Sequence, residues 1–264
     1  VPLGFRDIES GRGKGPTVAE RHRPATHPRA AVFAPLGDEG RATRVEKRLA
    51  EAIYSGVLHD GERLPSEPEL AAMFGVATVT AREALVALRS QGLVTTTRGR
   101  GGGSFVNRPR HPDDASLRVR LASMSNVDLR DRATLYGVIV AGCAELAAAY
   151  ADADDVAELR ELVPDETDTD AARWRHADAE LFLSVAALTQ SARMTRELLR
   201  LEASFGALVR LPLMDPEHRQ AAGERLAALV DAIGAGDGDA ARRTASTHVR
   251  ESVAWLIQKK AALG

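Results

Sequence analysis

The residues from Gly61 to Val106 constrain this chain more than any other stretch. They read GERLPSEPELAAMFGV, then ATVTAREALVALRSQGLV, then TTTRGRGGGSFV. Ser66 and Glu69 have the spacing of a capping box, in which each residue satisfies a backbone N–H of the other. Leu70 and Phe74 follow four apart, on one face of a short helix. Gly75 supplies the positive φ of a sharp turn. A second helix then starts near Thr78, with Ala81, Ala84, Leu85 and Leu88 as its apolar stripe. Gly92 ends it as a C′ residue would. The Val- and Thr-rich segments 93–97 and 104–106 read as strands. The tip at 98–103 between them is too polar and too rich in glycine to pack.

Two helices across a tight turn, then a two-stranded hairpin, are the parts of a winged helix-turn-helix. Thr78, Val79, Thr80 and Arg82 face outward at the start of the second helix. That end also carries free N–H groups and the positive pole of the helix, which suit a phosphate. Arg98 and Arg100 sit with Gly99 on a flexible tip. Small hydroxyl and Arg side chains on a recognition helix, with Arg on a wing, read double-stranded DNA.

Charge divides the chain in the same way. Residues 41–110 carry a net +4 and residues 111–264 a net −7, which with +1 for the first 40 residues gives the overall −2. A basic head on an acidic body fits contact with DNA at one end. The single cysteine, Cys143, permits no internal disulfide and lies among Ala, Gly, Val and Leu, as a small buried hydrophobe would. A reactive thiol sensor is the alternative. No run of about 18 apolar residues and no apolar leader core stand out, so the expectation is a cytoplasmic chain without a membrane segment.

Residues 1–40, rich in Gly, Pro, Arg and His without periodicity, are expected to be a disordered arm. The winged domain occupies 41–107 and opens with a helix over about 42–55, with Val45, Leu49 and Ile53 in register. Two prolines and several charges make 108–122 a linker. From about Leu117 on the pattern is helical throughout, with helices expected near 127–151, 153–163, 170–189, 191–211, 217–235 and 237–262. The fold class is mainly α: a winged helix-turn-helix with a small β wing, then an all-α bundle over 123–264. Such a bundle can enclose a cavity between facing helices.

Residues 41–107 resemble the DNA-binding domain of the GntR family of bacterial transcription regulators. The match is L-P-S-E-x-E-L-A-x-x-F-G-V, then T-x-R-E-A-L-x-x-L-x-x-x-G-L-V, then G-x-G-x-x-x-F-V. The resemblance carries Ser66, Thr78, Val79, Thr80, Arg82, Arg98, Gly99 and Arg100 into DNA-contact roles, with Arg82 on a phosphate. The family's usual Ser-Arg after F-G-V is here Ala77-Thr78, and the Arg that some members have at Pro68 is absent. Base preference therefore does not transfer from relatives. Ala77 lacks a capping oxygen, so Thr78 is expected to cap the recognition helix.

The second half resembles the helical FCD effector domain of the FadR-type branch, through D-x-x-L-F at Asp178 and G-D-x-x-x-A-R-R-x-x-x-x-H around Gly236–His248. Relatives often hold a metal with one Asp and three His. Position by position, this chain has Asp178, then Phe182 and Leu226 in place of two His, then His248. One Asp and one His do not close a metal shell. His176 and His218 lie nearby but off the family positions. No metal is expected, and His248 reads as a histidine satisfied by a helix neighbour.

The four positions Asp178, Phe182, Leu226 and His248 instead define an effector pocket for a ligand more apolar than a small carboxylate. The competing reading is a filled cavity. The resemblance implies a homodimeric repressor whose operator binding responds to a small molecule. The alternative is a DNA-binding member without ligand response, acting as an architectural or protein-binding factor. No Gly-rich phosphate loop, nucleophile elbow or His/Cys cluster supports an enzyme.

Overall fold

The computed structural model describes residues 40–97, 99, 101–108 and 114–262. The arm expected at the N-terminus therefore lies outside the described residues except for Gly40, and so do Arg98 and Arg100. The winged domain comprises α1 (Arg41–Ser55), α2 (Glu67–Phe74), α3 (Thr78–Ser90), β1 (Val94–Thr97) and β2 (Gly103–Val106). The strands pair antiparallel, with Val94 opposite Val106 and Thr97 opposite Gly103. Val45, Leu49, Ile53, Leu70, Phe74, Leu85 and Leu88 are buried together, so the stripes read from spacing close one core. Gly75 turns the chain with φ 65, a conformation that costs other residues.

The segment read as a linker, 108–122, is not all extended. A helix α4 (Asp114–Ser123) occupies its second half. Leu117 and Leu121, four apart, are both buried and give that helix a reason to form. The bundle follows as α5 (Asn126–Tyr150), α6 (Ala153–Glu161), α7 (Ala171–Leu188) and α8 (Ala192–Leu201), then α9 (Pro216–Gly234) and α10 (Gly238–Ala261). α5 packs most extensively along α10 and also touches α7, α8 and α9, which makes it the central helix. By length and composition α5 is apolar enough to cross a membrane, a property the sequence reading missed because its apolar residues are interleaved with Gly and Thr. Core helices share that property.

The single helix expected over 191–211 is broken. After Leu201 the chain makes a π-helical turn (Glu202–Gly206), a short helical piece (Ala207–Val209) and a 3-10 turn (Leu211–Met214). π-turns widen the helix by one residue and often accompany functional sites. This one turns Glu202 and Arg210 into the bundle and also packs against α1 of the winged domain. The two domains thus meet along α1, α8 and the π-turn.

Candidate functional site

In the winged domain the helix-turn-helix is locked locally. Glu69 Oε2 accepts from the Ser66 N–H at 2.8 Å and from its hydroxyl at 2.6 Å. These bonds hold the Glu69 carboxyl below its usual range. The N-cap of α3 is Ala77, not Thr78; Thr78 is the first residue inside the helix, and no side chain caps that end. The reason is backbone geometry: Ala77 is extended (φ −68, ψ 149), as an N-cap residue is, whatever its side chain. The uncapped N–H groups remain available to an anion.

Thr78 and Val79 are exposed, Thr80 half-buried. Val79, 57 % exposed, leaves an apolar side chain on this face. Arg82 is exposed, and its Nε donates to Glu67 Oε2 at 2.9 Å, so the side chain is held across the two helices. Arg89 Nη1 donates to Thr96 Oγ1 at 3.0 Å and joins α3 to the wing. Arg63, which the sequence reading passed over, donates from Nη2 to Gly102 O at 2.8 Å and fastens the wing base. Gly99 is exposed at the tip.

The four residues assigned to the effector pocket lie on three bundle helices, and all are buried: Asp178 1 %, Phe182 2 %, Leu226 0 % and His248 4 % exposed. His248 Nε2 lies 2.8 Å from Asp178 Oδ1. The Phe182 ring sits 5.2 Å from the His248 ring, centre to centre. His248 thus meets α7 across the bundle rather than a neighbour on its own helix, because one turn of α7 presents Asp178 and Phe182 together.

Three further residues complete this centre. Arg210 Nε donates to Asp178 Oδ2 at 2.7 Å, and its Nη1 and Nη2 donate to Glu202 Oε2 and Oε1 at 2.5 and 2.7 Å. Tyr136 OH donates to Glu202 Oε1 at 2.5 Å. Burial opposes charge on Arg210, but Glu202, Tyr136 and Asp178 outweigh it and push its pKa up. Burial likewise opposes ionisation of Asp178, and His248 and Arg210 outweigh it, so its carboxyl stays below the usual range. Burial and the Glu202 charge push the Tyr136 phenol up. The signal in the sequence was an Arg inside the apolar run Leu208-Val209-Arg210-Leu211-Pro212-Leu213. A charge there needs a buried partner.

These donors do not fit a metal. Phe182 and Leu226 stand at two of the four ligand positions of relatives, and one Asp178 oxygen is already held by a guanidinium. Among the described residues no group of three or more His, Cys, Asp and Glu could hold an ion. In this centre His248 Nδ1, and elsewhere in the bundle His218 Nε2 and Arg225 Nε and Nη2, are buried with no hydrogen-bond partner among the described residues. Burial, then Arg225 and His248, lower the His218 pKa to about 4. His176 is exposed beside Glu180 and does not join this centre. Cys143 is buried, which pushes its thiol up to about 12.

Comparison with known proteins agrees with both halves. The profile described as "Bacterial regulatory proteins, gntR family" matches residues 41–106, and that of the FCD domain matches residues 134–251. The HTH-type transcriptional regulator RmpR of Mycobacterium gastri is 33 % identical over 239 residues, 88 % of this chain and 86 % of that one. The regulator Rv0494 of Mycobacterium tuberculosis is 27 % identical over 233 residues, 87 % and 95 % of the two chains. The histidine utilization repressor of Klebsiella aerogenes is 40 % identical over 67 residues, 25 % of this chain and 27 % of that one. These relatives are regulators, not enzymes, and this chain belongs to the GntR family of bacterial transcription regulators, with an FCD domain behind its DNA-binding head.

Proposed function

We propose that this regulator is a homodimeric repressor whose operator binding is modulated by a small molecule held in the helical domain. The observation that carries the reading is the buried centre of Asp178, Arg210 and His248 beside Phe182. An ion-paired side and an apolar side meet there, with an unpartnered nitrogen on His248 itself and others on His218 and Arg225 in the same bundle. This supports an effector with an apolar body against Phe182 and Leu226, more apolar than a small carboxylate, and a polar group for those nitrogens. Arg210 supplies the positive charge that a metal supplies in relatives, so no metal cofactor is needed.

DNA contact falls to Thr78, Val79, Thr80 and Arg82, with Ser66 at the start of α2 and the wing at Arg98, Gly99 and Arg100. Repression is supported by the likeness of the winged domain to a histidine utilization repressor. Dimerisation is supported by the outer face of α5 and α10. That face forms a groove lined by Gly137, Val138, Ala141, Val249, Val253 and Ile257, with Val138 64 % exposed. An apolar face of this kind suits a second copy, and two heads then fit two half-sites one turn of DNA apart. Membership of a family of bacterial DNA-binding regulators supports a cytoplasmic location.

Fluorescence anisotropy against DNA from upstream of its own gene, with a scrambled duplex as control, tests the reading. About a thousandfold preference is expected. The labelled complex then serves as an effector screen. A ligand response lost in Phe182→Ala supports the pocket; operator binding that no ligand alters would favour the non-sensing, architectural alternative.

A further inference from the structure

Arg63 stands just before the helix-turn-helix, on a stretch that adds a third strand to the wing. Gly61 N–H donates to Val106 O at 2.9 Å, Val106 N–H to Glu62 O at 2.8 Å and Leu64 N–H to Ser104 O at 2.9 Å, and Arg63 bridges to Phe105. Side chains alternate along a strand, and Leu64 is buried in the core, so Arg63 points to the opposite face. It is exposed there. Its Nη2 donates to Gly102 O, and Gly102 N–H donates to Gly99 O at 2.8 Å, which closes the tip of the wing into a turn. The guanidinium is thus tied to the turn that carries the tip.

Gly103 makes room for this side chain. A Cβ at Gly103 would lie 2.8 Å from Arg63 Nε. The main chain at Gly103 is not in the left-handed region, so the need for glycine comes from the path of the arginine. The charge of Arg63 also reaches α2. Its pull on the Glu69 carboxyl comes after the two bonds from Ser66, with burial opposing. Glu69 Oε2 is taken by Ser66, and among the described residues Arg63 forms no ion pair with it. The hairpin from Val94 to Val106 contains no carboxylate in its sequence. A guanidinium has five N–H donors, and the protein engages one of them here.

We propose that Arg63 is a further DNA contact, gripping one backbone phosphate where the wing meets the start of α2. Gly102 O holds one edge of the guanidinium fork and leaves the rest for phosphate oxygens. The partner is a phosphate rather than a base, because the side chain lies off α3, the helix that carries the recognition face. One residue thereby sets the angle of the wing and the register of the head on the duplex. The assignment rests on DNA binding by the winged domain and is independent of the effector pocket proposed above.

The test is fluorescence anisotropy of the full chain on a labelled scrambled duplex at several salt concentrations, since a phosphate contact does not depend on sequence. Arg63→Gln keeps a donor for Gly102 O and loses the charge. It is expected to weaken binding roughly three- to tenfold and to lower the slope of log affinity against log salt by about 1. Arg63→Lys is expected to keep the parent slope. Gly103→Ala moves the guanidinium without removing it, and is expected to weaken binding to every duplex. Each variant is expected to unfold at the Tm of the parent. Parent affinity in both Arg63→Gln and Gly103→Ala would overturn the proposal. So would a weakened Arg63→Gln that keeps the parent slope, since Arg63 would then be a strut for the wing alone.

Discussion

Arg210 and Glu202 meet through two parallel N–H···O bonds of 2.5 and 2.7 Å, although they stand eight residues apart on one stretch of chain that a regular helix would splay. The π-turn between them makes the pairing geometry available. The same guanidinium then reaches α7 at Asp178, which in turn meets α10 at His248. One side chain thus ties three segments of the bundle.

Removing that guanidinium leaves Glu202 buried with only the Tyr136 hydroxyl and Asp178 buried with only His248. Arg210→Ala is expected to destabilise the bundle by about 3–5 kcal/mol, read from urea unfolding midpoints. Arg210→Lys should recover little, because a single ammonium does not replace the planar fork. A loss below ~1 kcal/mol would show that the network contributes nothing net.

Gly206 is where the π-turn comes closest to its own ion pair. A Cβ there would fall on Glu202 Oε2 and lie 2.6 Å from Arg210 Nη1. Gly206→Ala is therefore expected to cost about 1–3 kcal/mol by displacing the pair. A variant as stable as the parent would mean that the pair tolerates displacement.

His218 predicts a pH dependence. Its folded pKa is lowered from 6.5 to about 4, by burial first and then by Arg225 and His248, with Asp215 and Glu251 opposing. A base with a depressed folded pKa contributes stability that is fully present above pH 6.5 and lost as pH falls towards 4. Since the ring is only half-buried, solvent screening limits the loss to roughly 1–2 kcal/mol. His218→Asn should flatten the unfolding midpoint over that window; an unchanged slope would assign the dependence elsewhere.

Arg82 separates DNA binding from stability. Its bond to Glu67 is exposed, so Arg82→Ala should change stability by less than ~1 kcal/mol. Binding to every duplex should weaken alike, and the salt slope should fall by about 1. A loss confined to one sequence would make Arg82 a base reader rather than a phosphate contact.

The winged domain was legible from residue order alone because its determinants are local. The Ser66–Glu69 capping box, the turn at Gly75 and the stripe of Ala81, Ala84, Leu85 and Leu88 each act within a few residues. Periodicity likewise fixed α5, α7, α9 and α10 to within about two residues of their ends. It passed over α4, whose two buried leucines were masked by the neighbouring prolines and charges, and it ran straight through the π-turn, where every residue still suits a helix.

Sequence also brought Asp178, Phe182 and His248 to attention, but by resemblance rather than by spacing. What surrounds them was decided only in three dimensions. Tyr136 and Glu202 are 66 residues apart, and Arg210 and Tyr136 are 74. No local pattern relates positions so distant, because a buried charge selects its partners by where the packed helices bring them.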